Sequence, residues 1–343
     1  MESRKIQSVG GGTFTVSLPK EWAESEGCTA GTTVNIHTHI DGLLVIQTPE
    51  PRTAPPNRVT LEVGNDDPAE IQQLLRASYA AGVETVALED PDGYTDEQHR
   101  AIEHVARTLT GVTVAKETES QVTVQTLLDA NEVSVRQSVR QLQFVALSMY
   151  RDAMDALTTG TTGDRWVDRD DQADRLYAMI DRYFERGLAR LDEIDALGLT
   201  RPELFSLWVT ANELEHVADH AERIGTVAGR LDGQPDEPIV TALEDISQDV
   251  HTVIKDAVSI IIGDACVAPA GETLATRRAV RERITDLDRQ LFKSGDADYR
   301  LTRALDSLAR TAEHGGNIAD FALRMAIRDG ELAETGTAET NPS

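Results

Sequence analysis

The 343 residues include 59 acidic and 33 basic side chains, a formal charge of -26, with 40% hydrophobic and 4% aromatic content. Such a length suits two or three domains with a sizeable core, and the charge excludes a broadly basic, polyanion-binding surface. The only lysines are Lys5, Lys20, Lys116, Lys255 and Lys293, so the surface reads as a halophilic adaptation to a salt-rich cytoplasm, where ions screen its self-repulsion.

Cys28 and Cys266 stand far apart without a CxxC partner, which supports neither a disulfide framework nor a cysteine zinc site and fits reduced cytosol. The opening MESRKIQSVGGG lacks a charged leader followed by an apolar core. No apolar run approaches the ~20 residues that span a bilayer. The expectation is a cytoplasmic chain that is neither secreted nor membrane-embedded.

In chain order, residues 4–49 alternate with period two through TFTVSL, TVNIHTHI and LLVIQ, with turn signals at 10–12, 30–33 and 41–43. They predict short strands around one turn of helix, a first all-β domain over 1–49. PRTAPPNR (51–58) reads as a linker, because its prolines cannot continue a strand. Strand patterns at 58–63 and 83–89, helical spacing at 68–82 and 95–111, then VTVAKE and QVTVQTLL give a β-α-β-α-β-β order. This order predicts a small α/β sandwich over 58–127.

From 131 the pattern turns helical. Helices are expected near 131–159, 165–193, 202–231, 238–263, 271–293 and 298–329, followed by a disordered tail at 330–343. An internal repeat divides the six: displaced by 94 residues, LEHVADHAERI (214–224) falls on LARTAEHGGNI (308–318), matching Leu214 with Leu308 and His220 with His314. Asp219 meets Glu313, but Glu215 meets Ala309. Two related three-helix units are expected, one of them chemically weakened.

The chemistry concentrates in the third of these helices. Leu214, Val217, Ala218, Ala221 and Ile224 form its buried stripe, and Glu215, Asp219 and Glu222 fall together along one edge. In the second helix Ala173, Leu176, Tyr177, Ile180 and Phe184 supply the apolar face, with Asp170, Asp174 and Asp181 as an equivalent edge. Carboxylates four apart place oxygens on adjacent turns, so two facing helices can enclose a cation. In a chain this acidic, the same spacing also arises by composition on a solvated face. His216 and His220 are expected to point away from the carboxylate edge.

The six-helix pattern, the repeat and Glu215-xxx-Asp219-His220 resemble the PhoU family of phosphate-uptake regulators, whose repeats carry an E(D)xxxD signature. The resemblance covers roughly 131–329. It implies that Asp170, Asp174, Glu215 and Asp219 hold metal, in a family whose clusters contain iron, zinc or manganese; oxygen ligands alone would also suit magnesium. In the second half Glu282-xxx-Asp286 fits the signature on the fifth helix, while the sixth keeps only Glu313, with Asn317 and Asp320 as substitutes or as an ordinary polar edge.

RKIQSVGGGTFTVSLPKEWAESEGCTAGTTVNI followed by GLLVIQ resembles the AbrB/SpoVT swapped-hairpin domain. That resemblance implies an intertwined homodimer or higher homo-oligomer and, as the family often binds DNA, Arg4, Lys5 and Lys20 as phosphate contacts. SVGGGTF lacks the GxGxxG spacing and TTGTTG has no following GK, so both read as turns. The combined expectation is a regulator, not an enzyme, acting on a phosphate ABC transporter or its signalling components. A phosphate-responsive DNA-binding transcription regulator is the alternative. A dimetal enzyme is disfavoured, because no matching helices carry paired Glu-xxx-His motifs.

Overall fold

The computed structural model describes residues 3–40, 42–48, 57–64, 67–160, 167–231, 233–264, 270–294 and 299–328. The tail at 330–343 and most of the linker at 51–58 lie outside the described residues.

Two hairpins open the chain. β1 (Gln7–Val9) pairs antiparallel with β2 (Thr13–Thr15), through a turn in which Gly10 and Gly11 take φ of 60° and 71°, left-handed values that glycine adopts without steric cost. After α1 (Lys20–Ser25), β3 (Asn35–Thr38) pairs antiparallel with β4 (Leu44–Gln47). The hairpins form separate two-stranded sheets. Ile6, Phe14, Ile36 and Leu44 are between 60% and 78% exposed, so this segment leaves apolar surface that its own strands do not cover.

The α/β unit follows the expected order: β5 (Arg58–Glu62), α2 (Pro68–Ala80), β6 (Thr85–Glu89), α3 (Asp96–Thr108), β7 (Val112–Glu117) and β8 (Gln121–Thr126). Its sheet runs β5-β6-β8-β7, with β5 and β6 parallel and the other neighbours antiparallel. Both helices start in capping boxes, Asp67 with Glu70 and Thr95 with Gln98, which satisfy N–H groups that helix geometry leaves free. Ile71, Leu75, Ile102 and Val105 pack on Val86, Leu88, Val122 and Val124 of the sheet.

The rest is helical: α4 (Val135–Thr159), α5 (Val167–Ala189), α6 (Leu191–Ala196), α7 (Arg201–Ala228), α8 (Glu237–Ile261), α9 (Ala270–Ser294) and α10 (Tyr299–Arg328). The expected helix at 165–193 is split, because the chain is extended at Arg190 (φ -140°, ψ 118°) before α6 begins. Arg186 reaches across the break to Glu193, and a Cβ on Gly187 would stand 3.1 Å from Ile194 Cγ1, so α6 folds back against the end of α5. α4 packs on α5 and α7, α8 packs on α9 and α10, and α7 meets α10 across the seam, which gives the two three-helix units one continuous core.

Three arginines of α5 join the α/β unit to this bundle, Arg175 by donating to Thr108 O at 3.1 Å. The buried Arg182 of α5 donates to the carbonyls of Tyr79 and Val83 at 2.7 and 2.9 Å, and Arg186 donates to Gly82 O at 3.1 Å. These carbonyls terminate α2, where a cation is favoured by the helix dipole.

Candidate metal groove

The buried stripe of α7 is as the spacing predicts, with Leu214, Val217, Ala218, Ala221 and Ile224 all within 1% of full burial. Burying that stripe against α4 and α5 turns the carboxylate edge toward α5. On α5, burial of Ala173, Ile180 and Phe184 turns Asp170 and Asp174 toward α7. The remaining member of that edge, Asp181, accepts instead from Trp208 Nε1 at 2.8 Å.

The electrostatics register this convergence. Burial raises the Asp170 carboxyl to about 7, with Asp174, Glu222 and Asp219 adding repulsion. Burial and Asp219 likewise raise Asp174, against the lowering influence of Arg76. Glu215 is raised by burial and then by Asp219, with His216 opposing. Asp170 Oδ1 is shielded from solvent and meets no hydrogen-bond donor. A buried acceptor without a donor is costly unless something electropositive fills the place.

His216 departs from its expected direction. Its Nδ1 lies 2.7 Å from Glu215 Oε2, and Glu215, His216 and Asp219 offer ligand atoms that all lie within 4.8 Å of one another. Neighbours on a helix are separated by only about 100°, and the long Glu215 side chain spans that angle. The imidazole is steadied from α10, where the His314 ring stands edge-on to it at 5.0 Å. His314 Nδ1 in turn sits 2.6 Å from Glu213 Oε2, which also accepts from Asn317 Nδ2 at 3.2 Å. His220 packs on the same His314 ring at 5.4 Å; burial first, then Arg223, pushes it down to about 4. The roles of Glu213 and His314 escaped the sequence reading, although the His220–His314 repeat match was a signal that the two helices meet there.

The donor set therefore fits a cation: the carboxylates of Glu215 and Asp219 and the His216 imidazole lie within reach of one ion, and Asp170 beside them supplies an acceptor in want of a positive partner. Beside it, a cavity of about 530 Å³ separates α2 from α5 and α7, lined by Gln72, Arg76, Asp174, Tyr177, Asp181 and Glu215 among others.

The second half is arranged differently. Glu282 is exposed. Asp286 meets Arg289 at 2.7 Å and lines a cavity between α8 and α9. Glu313 lies elsewhere, in a cavity between α9 and α10, and meets Arg310 at 3.3 Å. The structure does not bring these three carboxylates together, and Asp320 is held by Arg277 at 3.0 Å. At the N-terminus Arg4, Lys5 and Lys20 are exposed, with Lys20 Nζ 3.5 Å from Glu24 Oε1.

Residues 139–228 match the family model of the PhoU domain, and residues 7–56 match that of antidote-toxin recognition MazE, bacterial antitoxin. No curated protein matches the chain. The chain thus carries a PhoU domain behind a MazE/AbrB-like segment. The matched PhoU range contains all five convergent carboxylates, from Asp170 to Glu222, and ends at the last residue of α7.

Proposed function

We propose that this chain regulates phosphate uptake and phosphate homeostasis by binding partners, with a metal ion held between α5 and α7. The observation that carries the proposal is the placement of Asp170, Asp174, Glu215 and Asp219, with the unpartnered Asp170 Oδ1, inside the segment that matches the PhoU domain. Among the described residues no helix is long and apolar enough to cross a membrane, so a transporter would be met at its surface or through its signalling components.

His216 belongs with the carboxylates in this reading. An imidazole beside oxygen ligands favours manganese, iron or zinc over magnesium. The metal would neutralise the groove and fix α5 against α7. Elemental analysis of protein purified without chelator should find the metal, and Asp219→Ala should remove most of it and lower the melting temperature in metal. Full metal content in Asp219→Ala would reduce the groove to an acidic edge. The regulatory role has its own test: cells lacking the chain should lose the phosphate dependence of uptake and of transporter expression. An unchanged response would overturn it.

The MazE match at residues 7–56 favours a second reading, in which the N-terminal module over 1–49 binds DNA. Arg4, Lys5 and Lys20 would contact phosphates, and replacing all three should abolish promoter occupancy and flatten its salt dependence. Retained occupancy would leave protein partners alone.

A further inference from the structure

The groove between α9 and α10 repeats the helix pairing of the carboxylate groove, with arginines where that groove has aspartates. Displaced by 107 residues, the buried stripe of α5 at Ala173, Ile180 and Phe184 falls on Val280, Leu287 and Leu291 of α9, all buried. In this register Asp170 becomes Arg277 and Asp174 becomes Arg281. Across the groove, the 94-residue repeat turns Glu215 into Ala309 and Glu222 into Gly316, while Asp219 becomes Glu313. Four of five acidic positions are lost, and two of them are now arginine.

The space between them is retained. A cavity of about 280 Å³ is lined by Arg277, Arg281, Thr285, Ala309, Glu313 and Asn317, among others. A water's share of the liquid is about 30 Å³, so a small polyatomic anion has room. Arg277 is seated by design of the backbone, since a Cβ on residue 316 would stand 2.1 Å from its Nε. One guanidinium nitrogen, Nη1, donates to Asp320 Oδ2 at 3.0 Å, which orients the fork. Arg281 is exposed, and among the described residues its guanidinium meets no carboxylate. Glu313 is the one acid in the lining, and Arg310 on its own helix partners it at 3.3 Å.

We propose that the α9–α10 groove is an oxyanion site, taking a tetrahedral anion of the phosphate class between Arg277 and Arg281. Two guanidiniums four residues apart offer forked donors that match two edges of such an anion. The inference rests on the charge inversion and the cavity, and holds whether or not the other groove binds metal.

The test is calorimetric titration of the full chain at fixed high chloride, with inorganic phosphate in one arm and glycerol phosphate in the other. Saturable binding of either, one site per chain, is expected; the arms distinguish free phosphate from a phosphomonoester. Arg281→Gln and Arg277→Gln should each weaken binding at least about tenfold, the loss expected for a charge-assisted hydrogen bond. Arg278→Gln, an equal charge change at an exposed residue of α9 outside the cavity lining, should bind as the parent does. Arg281 is exposed, so its variant tests the site even if Arg277→Gln fails to fold. Absence of saturable binding in both arms, or equal affinity in Arg281→Gln and Arg278→Gln, would overturn the proposal.

Discussion

Asp170 carries a stability that depends on its proton. Burial and neighbouring carboxylates raise it to about 7 in the folded chain, whereas an unfolded aspartate titrates near ~3.9. The folded state therefore keeps a proton that the unfolded state gives up, and the resulting stability is full below the unfolded value and lost as pH rises through the folded one. In the presence of chelator, the melting temperature should fall between about pH 4 and pH 7. Asp170→Asn, which removes the charge and retains the shape, should flatten that fall. Bound metal should suppress it as well, because a cation takes the place of the proton. An unchanged slope in Asp170→Asn, measured by circular dichroism melts, would show that other groups set the dependence.

At the scale of elements, two junctions organise the molecule. Arg182 ties α5 to the end of α2 by two hydrogen bonds and lies over the Tyr79 ring, 5.0 Å from its centroid. Arg182→Met should cost roughly 3 kcal/mol, since each bond from a charged donor is worth about 1.5 kcal/mol or more. Denaturant melts should then show the α/β unit unfolding before the bundle; one unshifted cooperative transition would count against the junction. The N-terminal hairpins are the other case. Lone two-stranded hairpins are marginal in water, and the exposed Ile6, Phe14, Ile36 and Leu44 need a cover that a second copy would supply. Deleting residues 1–49 should lower the oligomer seen by light scattering, and the same stoichiometry in the truncated chain would sink the swapped-hairpin assignment.

The bundle meets both N-terminal units, and one of them at the acidic groove. Asp195 of α6, between the two helices that supply the carboxylates, accepts from the Ile40 N–H at 3.2 Å and meets His39. The α/β unit faces the same groove through Arg76 and the cavity beside it. A change in spacing between α5 and α7 would therefore reach the α/β unit. The charge of -26 acts on the molecule as a whole. Screening should raise the melting temperature as potassium chloride goes from low to molar concentration. A flat response would remove the high-salt reading.

Local signals settled much of this in the sequence. The period-two runs, the capping residues Asp67 and Thr95 and the glycine turns are near-neighbour effects, so strand and helix order emerged almost residue by residue. The stripe of α7 was legible because one helix's geometry fixes which residues share a face. Glu282 and Asp286 carry the spacing of the signature, four residues apart, but spacing does not say which face of α9 they share with a neighbour: Asp286 and Glu313 line different cavities. The buried stripe of α9, at Val280, Ile284, Leu287 and Leu291, turns Arg277 and Arg281 toward α10 instead. The 107-residue match of apolar stripes carried that information, but only packing shows which face of α9 meets which helix. Tertiary structure likewise decided His216, whose Nδ1 direction depends on the reach of Glu215 and on the His314 ring from α10. Periodicity assigns a residue to a face; the neighbour on that face is set by how the helices close on a shared core.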